Sequence, residues 1–583
     1  MINVTINGKK LEVEPGTTII EAAEMVNIKI PTLCYNPDLT PWASCGICIV
    51  RIVGSPKMVR ACITACENNM NIITHDTEII AVRRTVLELI LSNHPNDCLQ
   101  CPRTQSCELQ DLAYEFGLRE APFIKINSNL PVDNSNPAIV LCPDKCIRCG
   151  RCVKVCQEVQ NVWALEFLGR GIHGKIASAA DVPLGESPCI KCGQCAAHCP
   201  VGAIYERDDT VKVWRALQNA NIHTVVQIAP AVRIALAEEF GLEPGTVFTK
   251  KIYAALRRLG FNTVFDTNFS ADLTIMEEGS ELVRRLTEKG SAIPLITSCC
   301  PAWVDYMEKY YADMIPNFST AKSPQQMMGA MIKGYWAAKA GVDADKIYSV
   351  SIMPCTAKKW ETHRNDDMKS AKHGYDVDIV ITTRELARMI KQAGIEILKL
   401  NDEEADNPLG PYTGAGTIFG ATGGVMEAAV RSAYYLVTKK ELPDVNFKSV
   451  RGLEGVKEGE VDFGNGLKIR IAVAHQMGNI AAVLDKIREA RKTGKEMPYH
   501  FIEVMACRGG CVAGGGQPYG ATDELRKQRI EGLYNDDEKS QYRCSHLNPF
   551  ISQVYKEFLG EPGGHKAHEL LHTKYVERPL YVK

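Results

Sequence analysis

The chain has 583 residues and a mass of 64.4 kDa, so we expect roughly three to five domains rather than one hydrophobic core. Hydrophobic residues make up 45% and charged residues 23%, a composition that is typical of globular proteins and excludes a mostly disordered chain. The 67 Lys and Arg residues nearly balance the 69 Asp and Glu residues. The resulting net charge of −2 gives no overall field that would attract nucleic acid or an anionic membrane surface.

No apolar run approaches the ~20 residues that span a bilayer. The amino-terminal stretch MINVTINGKK lacks the apolar core of a signal peptide. We therefore expect a cytoplasmic protein. Its 23 cysteines are clustered, and in a reducing cytosol clustered thiols are more often metal ligands than disulfides. Thiolates select zinc, copper(I) or iron–sulfur clusters, so the spacing of the cysteines has to distinguish these metals.

Residues 1–78 predict a β-grasp domain like that of plant ferredoxin. We expect a hairpin around Asn7-Gly8 and a helix through Thr18–Val26. Four thiols with one tight pair suit a 2Fe–2S cluster, although ten residues separate the first two where the plant-type pattern has four. A structural zinc site is the alternative. The ligands would be Cys34, Cys45, Cys48 and Cys62.

Residues 79–125 contain one histidine and three cysteines, which could hold zinc or a 4Fe–4S cluster. We favour the 4Fe–4S cluster because clusters are predicted on both sides, and zinc would interrupt electron transfer between them. The ligands would be His94, Cys98, Cys101 and Cys107.

Residues 137–209 carry the two-cluster signature of bacterial ferredoxins, in which each fourth cysteine binds the other cluster. The first 4Fe–4S cluster would be bound by Cys146, Cys149, Cys152 and Cys199. The second would be bound by Cys189, Cys192, Cys195 and Cys156.

Residues 210–520 alternate strands and helices, which predicts an α/β domain with largely parallel sheets and an active site at the carboxyl ends of strands. TVVQIAP, IPLITSCCP and KIYSVSIMPC are predicted strands, VRIALAEEFG is a predicted helix, and VDIVITTRELARMIKQAGI is a strand followed by a helix. Residues 521–583 are polar and helical and have no motif. The whole chain is thus predicted to be a multidomain protein of the α+β and α/β classes.

The α/β domain has five clustered cysteines where a cubane needs four ligands: Cys299, Cys300, Cys355, Cys507 and Cys511. Adjacent residues on an extended segment point to opposite faces, so one of Cys299 and Cys300 is expected to remain a free thiol. Gly509-Gly510 and Gly514–Gly516 would let the backbone approach a bulky inorganic group.

Three segments resemble the signatures of FeFe hydrogenases, and the resemblance covers essentially the whole chain. They are TSCCPAW (Thr297–Trp303), MPCTAKKWE (Met353–Glu361) and EVMACRGGCVAGGGQP (Glu503–Pro518). The resemblance implies an oxidoreductase acting on H2 and protons. It also implies an H-cluster, in which a 4Fe–4S cubane is joined through a cysteine to a diiron unit with CO, cyanide and azadithiolate. One 2Fe–2S and three accessory 4Fe–4S clusters would carry electrons.

The resemblance also implies roles for individual residues. Cys300, Cys355, Cys507 and Cys511 would bind the cubane, and Cys511 would bridge to the diiron unit. Lys358 would hydrogen-bond a cyanide. The pocket wall would include Met353, Met505, Pro230, Gln325 and Phe419. Ala231 stands where some relatives have serine, so one pocket hydrogen bond would be absent.

The implied proton path runs through Cys299, Glu278, Ser319, Glu281 and Arg285. On a helix opening near Ser270, residues 278, 281 and 285 share one face. Without the resemblance, a solvated Glu281–Arg285 pair would be the preferred interpretation. We interpret Cys66, Cys142 and Cys544 as packed free thiols, and the histidines at 565, 568 and 572 as part of a solvated tail rather than a metal site.

Three other functions compete with this one. An electron-transfer subunit would leave the three C-terminal signatures unexplained, and an iron–sulfur scaffold without hydrogenase activity would be expected to lack Cys299 and Lys358. A hydrogen sensor would be expected to have a sensory domain, for which we find no segment in the remaining residues. Ferredoxin is one expected electron partner. Because the sequence contains no dinucleotide or flavin fingerprint, NAD(P) chemistry would need a flavin- and NAD(P)-binding partner subunit, as in NAD(P)-linked or electron-bifurcating hydrogenases. The diiron unit would also require maturation proteins.

Overall fold

The computed structural model describes residues 1–124, 129–464 and 466–582. The last residues of the second and fifth predicted modules, Lys125 and Lys583, lie outside these ranges. Within them, no helix has both the length and the apolar character that crossing a membrane requires.

The amino-terminal module is a mixed five-stranded sheet with one helix, which is the predicted β-grasp architecture. Its elements are β1 (Ile2–Ile6), β2 (Lys9–Val13), α1 (Ile19–Met25), β3 (Ile49–Ile52), β4 (Met58–Arg60) and β5 (Met70–Ile73). The strand order is β2-β1-β5-β3-β4, and β1 and β5 are parallel. Asn7 and Gly8 turn the β1–β2 hairpin with φ of 49° and 83°, and Thr18 caps α1, so both local predictions are confirmed.

Two helices, α2 (Thr77–Ser92) and α3 (Glu108–Glu115), form the second module. Asp76 caps α2 by accepting a hydrogen bond from the backbone N–H of Ile79. The buried Arg83 guanidinium donates to the carbonyls of Ile47 and Ile49 at 3.0 and 2.7 Å. This module is therefore fixed to the loop that carries the predicted 2Fe–2S ligands.

The third module repeats one local pattern twice. A glycine with positive φ, Gly150 (80°) or Gly193 (73°), precedes a short helix that carries the third cysteine of each repeat. Its elements are β6 (Ile139–Leu141), α4 (Arg151–Lys154), β7 (Leu165–Leu168), β8 (Lys175–Ser178), α5 (Gln194–His198) and β9 (Ile204–Glu206). Antiparallel pairs β6–β9 and β7–β8 enclose the two short helices.

The remaining chain builds two four-stranded sheets. The first has the order β11-β10-β13-β14 and is entirely parallel, and the second has the order β12-β17-β16-β15 with only β15 antiparallel. The strands are β10 (His223–Ile228), β11 (Thr263–Asp266), β12 (Leu295–Ile296), β13 (Ile347–Met353), β14 (Ile379–Thr382), β15 (Val456–Asp462), β16 (Lys468–His475) and β17 (Phe501–Met505). The predicted parallel α/β architecture is confirmed.

Helices cover both sheets. They are α6 (Thr210–Leu217), α7 (Thr249–Leu259), α8 (Thr267–Thr287), α9 (Pro301–Tyr310), α10 (Pro324–Met331), α11 (Ala337–Ala340), α12 (Lys358–Glu361), α13 (Thr383–Gln392), α14 (Gly414–Ile418), α15 (Gly424–Thr438), α16 (Met477–Thr493), α17 (Asp523–Lys539), α18 (Pro549–Val554) and α19 (His565–Leu571). Helix α8 packs against α10, α14 and α15, so it passes between elements of both sheets.

The helix predicted for VRIALAEEFG is wrong. The chain forms short 3₁₀ turns at Pro230–Val232 and Leu236–Phe240 instead. The carbonyls of Arg233 and Ile234 accept hydrogen bonds from the N–H groups of Phe248 and Gly245, which lie far along the chain. Because these carbonyls are already used, they do not form the regular helical ladder.

Candidate active site and accessory cluster sites

Three strands of the two sheets end at one buried cavity of about 80 Å³. Cys299 and Cys300 follow β12, Cys355 follows β13, and Cys507 follows β17. Carboxyl ends of parallel strands are where α/β proteins build their sites. The predicted residues that the structure brings together in this wall are Pro230, Cys299, Cys300, Gln325, Met353, Cys355, Lys358, Phe419, Met505, Cys507 and Cys511.

The four predicted cubane ligands form a close, buried set of thiols. Burial, followed by the neighbouring Cys300, raises the pKa of Cys355 to about 12. Burial, followed by Cys355 and Cys300, raises the pKa of Cys507 well above its usual value. Converging soft donors of this kind, shielded from water, are the ligand set that a 4Fe–4S cubane takes, so the residues present fit the group.

Cys299 and Cys300 have different surroundings although they are adjacent. Burial raises the pKa of Cys300, whose sulfur lies at the start of α9 and accepts hydrogen bonds from the N–H groups of Trp303 and Ala506 that oppose this shift. Among the charged groups around Cys299, the carboxyl of Glu278 has the largest effect on its thiol. Burial and that carboxyl raise the pKa of Cys299 far above its usual value, so this thiol holds its proton.

Lys358 is held in the wall by an acidic residue for which the sequence pattern predicts no role. Its ammonium donates to Glu361 Oε2 at 2.9 Å and to the Cys299 carbonyl at 3.1 Å. The same Oε2 also accepts from Gln325 Nε2 at 3.0 Å and from Ser323 Oγ at 2.9 Å. Glu361 therefore fixes two predicted pocket residues at once. The i,i+3 spacing of Lys358 and Glu361 on a short helix was the available signal.

Of the predicted proton-path residues, Ser319, Glu281 and Arg285 are joined by contacts, and Glu278 lies near Ser319 and Glu281. Glu278 is 1% exposed, and burial raises its pKa to about 8. Ser319 Oγ lies 3.2 Å from Glu281 Oε2, and Arg285 Nη2 lies 2.6 Å from Glu281 Oε1. Arg285 also donates to the carbonyls of Ala292, Pro316 and Phe318. The Glu281–Arg285 pair is thus part of the interior and not a solvated pair.

Glu503 is a second buried carboxylate for which the sequence pattern predicts no role. Its two oxygens accept hydrogen bonds from the N–H groups of Gly423 and Met426, both at 2.7 Å, at the start of α15. Burial raises its pKa to about 7. Glu503 lies two residues before Met505, so it couples α15 to the strand that forms the cavity wall.

Gly510 and Gly514 line the cavity, whereas Gly515 packs against the backbone of the third module. A Cβ on Gly515 would lie 2.6 Å from the Cys192 carbonyl and 2.7 Å from the Cα of Gly193. Gln194 Nε2 donates to Cys507 Sγ at 3.2 Å across the same contact. The third module therefore lies directly against the cavity wall.

The accessory thiols are grouped as the crossed ferredoxin pattern requires. Burial and then Cys149, Cys146 and Cys199 raise the pKa of Cys152. Burial and then Cys192, Cys189 and Cys156 do the same for the pKa of Cys195. Each fourth cysteine thus lies with the other repeat, which fits two cubanes.

The first two modules show looser sets of ligands. Cys48 Sγ lies 3.4 Å from Cys62 Sγ, and Cys34 forms hydrogen bonds with Cys45 and Cys62, so four thiols converge as a 2Fe–2S cluster needs. In the second module Cys107 lies near Arg103 and Cys101, His94 is buried and Cys98 is exposed.

The interpretation of His572 as part of a solvated tail is wrong. Its Nδ1 lies 2.8 Å from Thr320 Oγ1 and its Nε2 lies 3.0 Å from Glu277 Oε2, and His568 stacks on its ring. His572 is buried because residues 571–573 pair with residues 320–322. Cys66, Cys142 and Cys544 are buried, as expected for packed thiols.

Comparison with family models assigns most of the chain. Residues 222–515 match the C-terminal domain of the iron-only hydrogenase large subunit, and residues 523–578 match the iron hydrogenase small subunit. Residues 1–77 match a 2Fe–2S cluster binding domain, and residues 145–203 match a 4Fe–4S dicluster domain. Residues 83–122 match the NADH-ubiquinone oxidoreductase-G iron–sulfur binding region.

Individual relatives agree with these matches. The chain is 46% identical to the NADP-reducing hydrogenase subunit HndD of Solidesulfovibrio fructosivorans, over 99% of each chain. It is 40% identical to iron hydrogenase 1 of Clostridium pasteurianum, over 99% of this chain and all of that one. Among solved structures, a variant of the FeFe-hydrogenase HydA1 from Chlamydomonas reinhardtii matches with a TM-score of 0.56 and 43% identity, over 64% of this chain and 99% of that one.

These matches do not favour the alternative of an electron-transfer or scaffold subunit, because they include the region that forms the cavity. The chain belongs to the FeFe hydrogenase family, and it is an iron hydrogenase with iron–sulfur modules at its amino end.

Proposed function

We propose that the cavity holds an H-cluster and that H2 is interconverted there with two protons and two electrons. The observation that carries this proposal is the collection of five thiols and one ammonium in a single buried wall, one thiol more than a cubane needs. When bound, the H-cluster would supply an open iron position and a bridging amine for heterolytic cleavage of H2.

In this proposal Cys300, Cys355, Cys507 and Cys511 would hold the cubane, and Cys511 would also bind the diiron unit. Lys358 would direct its ammonium at a cyanide, a charge-assisted contact that a dry pocket strengthens. Glu361 keeps the Lys358 side chain in place. Met353, Met505 and Phe419 exclude water from the same wall.

Protons enter and leave through side chains of this chain. Cys299 exchanges a proton with the bound group, and Glu278 exchanges it with Cys299, since each is the other's near neighbour in the interior. Ser319 and Glu281 carry it onward, and Arg285 orients Glu281. Groups that titrate near the working pH are suited to such transfer, and the raised pKa of Glu278, about 8, meets that condition.

Electrons follow the accessory sites. The Cys189–Cys195 set faces the cavity thiols, because Cys192 lies beside Cys355 and Cys507. The Cys146–Cys152 set is next, since Cys195 is a neighbour of Cys152. We assign one 2Fe–2S and three 4Fe–4S accessory clusters to the four ligand sets, within modules 1–78, 79–125 and 137–209 ahead of the catalytic segments 210–520 and 521–583.

The electron acceptor is proposed to be a flavin- and NADP-binding partner subunit, with ferredoxin as a second partner and electron bifurcation between them. Two observations support this: the relative that matches over 99% of the chain is named an NADP-reducing hydrogenase subunit, and the present sequence lacks a dinucleotide fingerprint. Diiron maturation proteins would complete the site. A cytoplasmic location suits the reduced thiol ligands.

Infrared spectroscopy of anaerobically matured protein tests the site, and an H2-dependent reduction assay tests the partner. We expect metal-bound CO and cyanide bands, dye reduction by H2, and NADP reduction only after the partner subunits are added. Matured protein that has only ordinary cubanes and leaves H2 untouched would refute the site. NADP reduction by the isolated chain would refute the partner while leaving the site intact.

A further inference from the structure

Three side chains of types that can bind a metal lie close together outside the cavity, and they come from two separate segments. Cys544 and His546 lie just before α18, and Glu441 lies in the loop after α15. The thiol sulfur, a ring nitrogen and a carboxylate oxygen of these residues all lie within 4.8 Å of one another. None of the three lines the active-site cavity, and the hydrogenase reaction uses none of them.

The imidazole of His546 is held in the orientation that a metal ligand needs. Its Nδ1 lies 3.1 Å from Ser432 Oγ, and its ring stacks on Tyr435 with centroids 4.3 Å apart and planes 5° apart. Its Nε2 points at Glu441, 3.1 and 3.2 Å from the two carboxylate oxygens. A partner on one ring nitrogen fixes the tautomer and leaves the other nitrogen as the ligand.

We propose that Cys544, His546 and Glu441 bind one Zn²⁺ ion, with water as the fourth ligand. Thiolate, imidazole and carboxylate are the donors that zinc prefers. One thiolate and one carboxylate neutralise the charge of a divalent cation. With metal–ligand distances of ~2.0–2.2 Å, a tetrahedral nitrogen–oxygen edge is roughly 3.3 Å, close to the observed separation. An imidazolium–carboxylate ion pair would fit that separation too, but it would not account for the Cys544 sulfur within 4.8 Å of both groups.

The zinc would join two parts of the catalytic region. Glu441 lies in the segment that matches the hydrogenase large subunit, and Cys544 and His546 lie in the segment that matches the small subunit. Arg431 already connects these parts by pairing with Asp537 and by donating to the Arg543 carbonyl. The metal would add a cross-link at the end of the same contact and is thus structural in this proposal.

The test is the zinc content and zinc-edge X-ray absorption of the full-length holoenzyme, produced with added zinc and dialysed under anaerobic conditions. We expect about one zinc per chain, with a single sulfur ligand near ~2.3 Å and nitrogen or oxygen ligands near ~2.0 Å. In His546→Ala and Cys544→Ala the zinc content should fall roughly tenfold or more. The Glu441 side chain is 53% exposed, so Glu441→Gln should not disturb folding. Its zinc affinity should also fall.

Cys66→Ala is the matched control, because Cys66 is also a buried free thiol but lies in the amino-terminal module. It should leave the zinc content unchanged. Iron content should stay constant in all four variants and reports correct folding. Wild-type holoenzyme without zinc, or zinc that persists equally in His546→Ala and Glu441→Gln, would overturn the proposal.

Discussion

The two adjacent thiols at the end of β12 show how single residues acquire different chemistry. Burial raises the pKa of both thiols, but the backbone N–H groups around Cys300 oppose that shift, whereas the Glu278 carboxyl adds to it at Cys299. The alternation of an extended segment predicts that one of the two thiols is free. The different neighbours of the two thiols support Cys299 as the free one.

Replacing Cys299 by serine separates proton transfer from cluster binding. We expect Cys299→Ser to keep its iron content and to lose turnover by roughly 10²-fold or more, because a serine hydroxyl is a much weaker acid than the thiol that exchanges the proton with the bound group. Iron determination and H2 evolution with a reduced dye measure the two effects, with Cys66→Ala as the thiol control. A loss of iron would show that Cys299 is a ligand and would reverse the assignment.

The pKa of Glu278, raised to about 8, predicts a pH dependence with a definite sign. Below that pH the carboxyl is protonated and can donate, so H2 evolution should decline as the pH rises through about 8 while H2 oxidation gains. In Glu278→Gln the activity should drop roughly 10²-fold and this inflection should disappear. The exposed Glu288→Gln, at the end of the same helix, is the control. An unchanged inflection in Glu278→Gln would assign the titration to another group.

At the scale of elements, the sequence pattern predicted the strands well because each is a buried apolar run. It failed where distant partners decide the structure. The 3₁₀ turns after β10 depend on hydrogen bonds from Gly245 and Phe248, and the burial of His572 depends on a pairing with residues 320–322. The local periodicity of the sequence gives no information about either of these contacts.

In the candidate site, too, local motifs were predicted and contacts between distant segments were not. Its thiols and Lys358 were evident from short motifs with fixed spacing. Glu361 and Glu503 also lie within those motifs, but their roles come from partners such as Gln325 and Met426, which are distant in sequence. The role of a carboxylate inside a motif cannot be predicted until its hydrogen-bond partners are known.

Glu503 is predicted to stabilise the start of α15. Glu503→Ala would leave the N–H groups of Gly423 and Met426 without their acceptors in the interior, at a cost of about 1–3 kcal/mol for each group. The thermal transition of the catalytic region should fall by several degrees, as followed by circular dichroism. Glu503→Gln retains an acceptor oxygen and should lose less. Equal melting of wild type and Glu503→Ala would contradict the capping role.

At the scale of the whole molecule, close contact between modules determines how electrons reach the cavity. Gly515 lets the wall of the cavity touch the loop of Cys192 and Gly193, and any side chain there would separate them. The rate of electron tunnelling falls steeply with distance. We therefore expect Gly515 to influence the rate of electron transfer to the cavity more than the fold.

Gly515→Ala should therefore slow the reduction of external acceptors by H2 while hydrogen isotope exchange, which needs no accessory cluster, continues. The ratio of the two activities measures the effect, and it should fall severalfold. Gly334→Ala is the matched control, because a Cβ there would meet its nearest neighbour at an ordinary 3.7 Å. A proportional loss of both activities in Gly515→Ala would indicate damage to the site itself.

Both amino-terminal modules contact the same repeat of the third. Ser44 donates to the Cys149 carbonyl at 3.4 Å, and Asp97 accepts from Lys145 at 3.0 Å, one residue before Cys146. Electrons that enter through either amino-terminal module should therefore reach the same 4Fe–4S cluster. While that cluster is reduced, it cannot accept a further electron from either module, so two electron donors supplied together should deliver electrons more slowly than the sum of their separate rates. Competition between the donors would then arise at this shared cluster and would require no overlap of their docking surfaces.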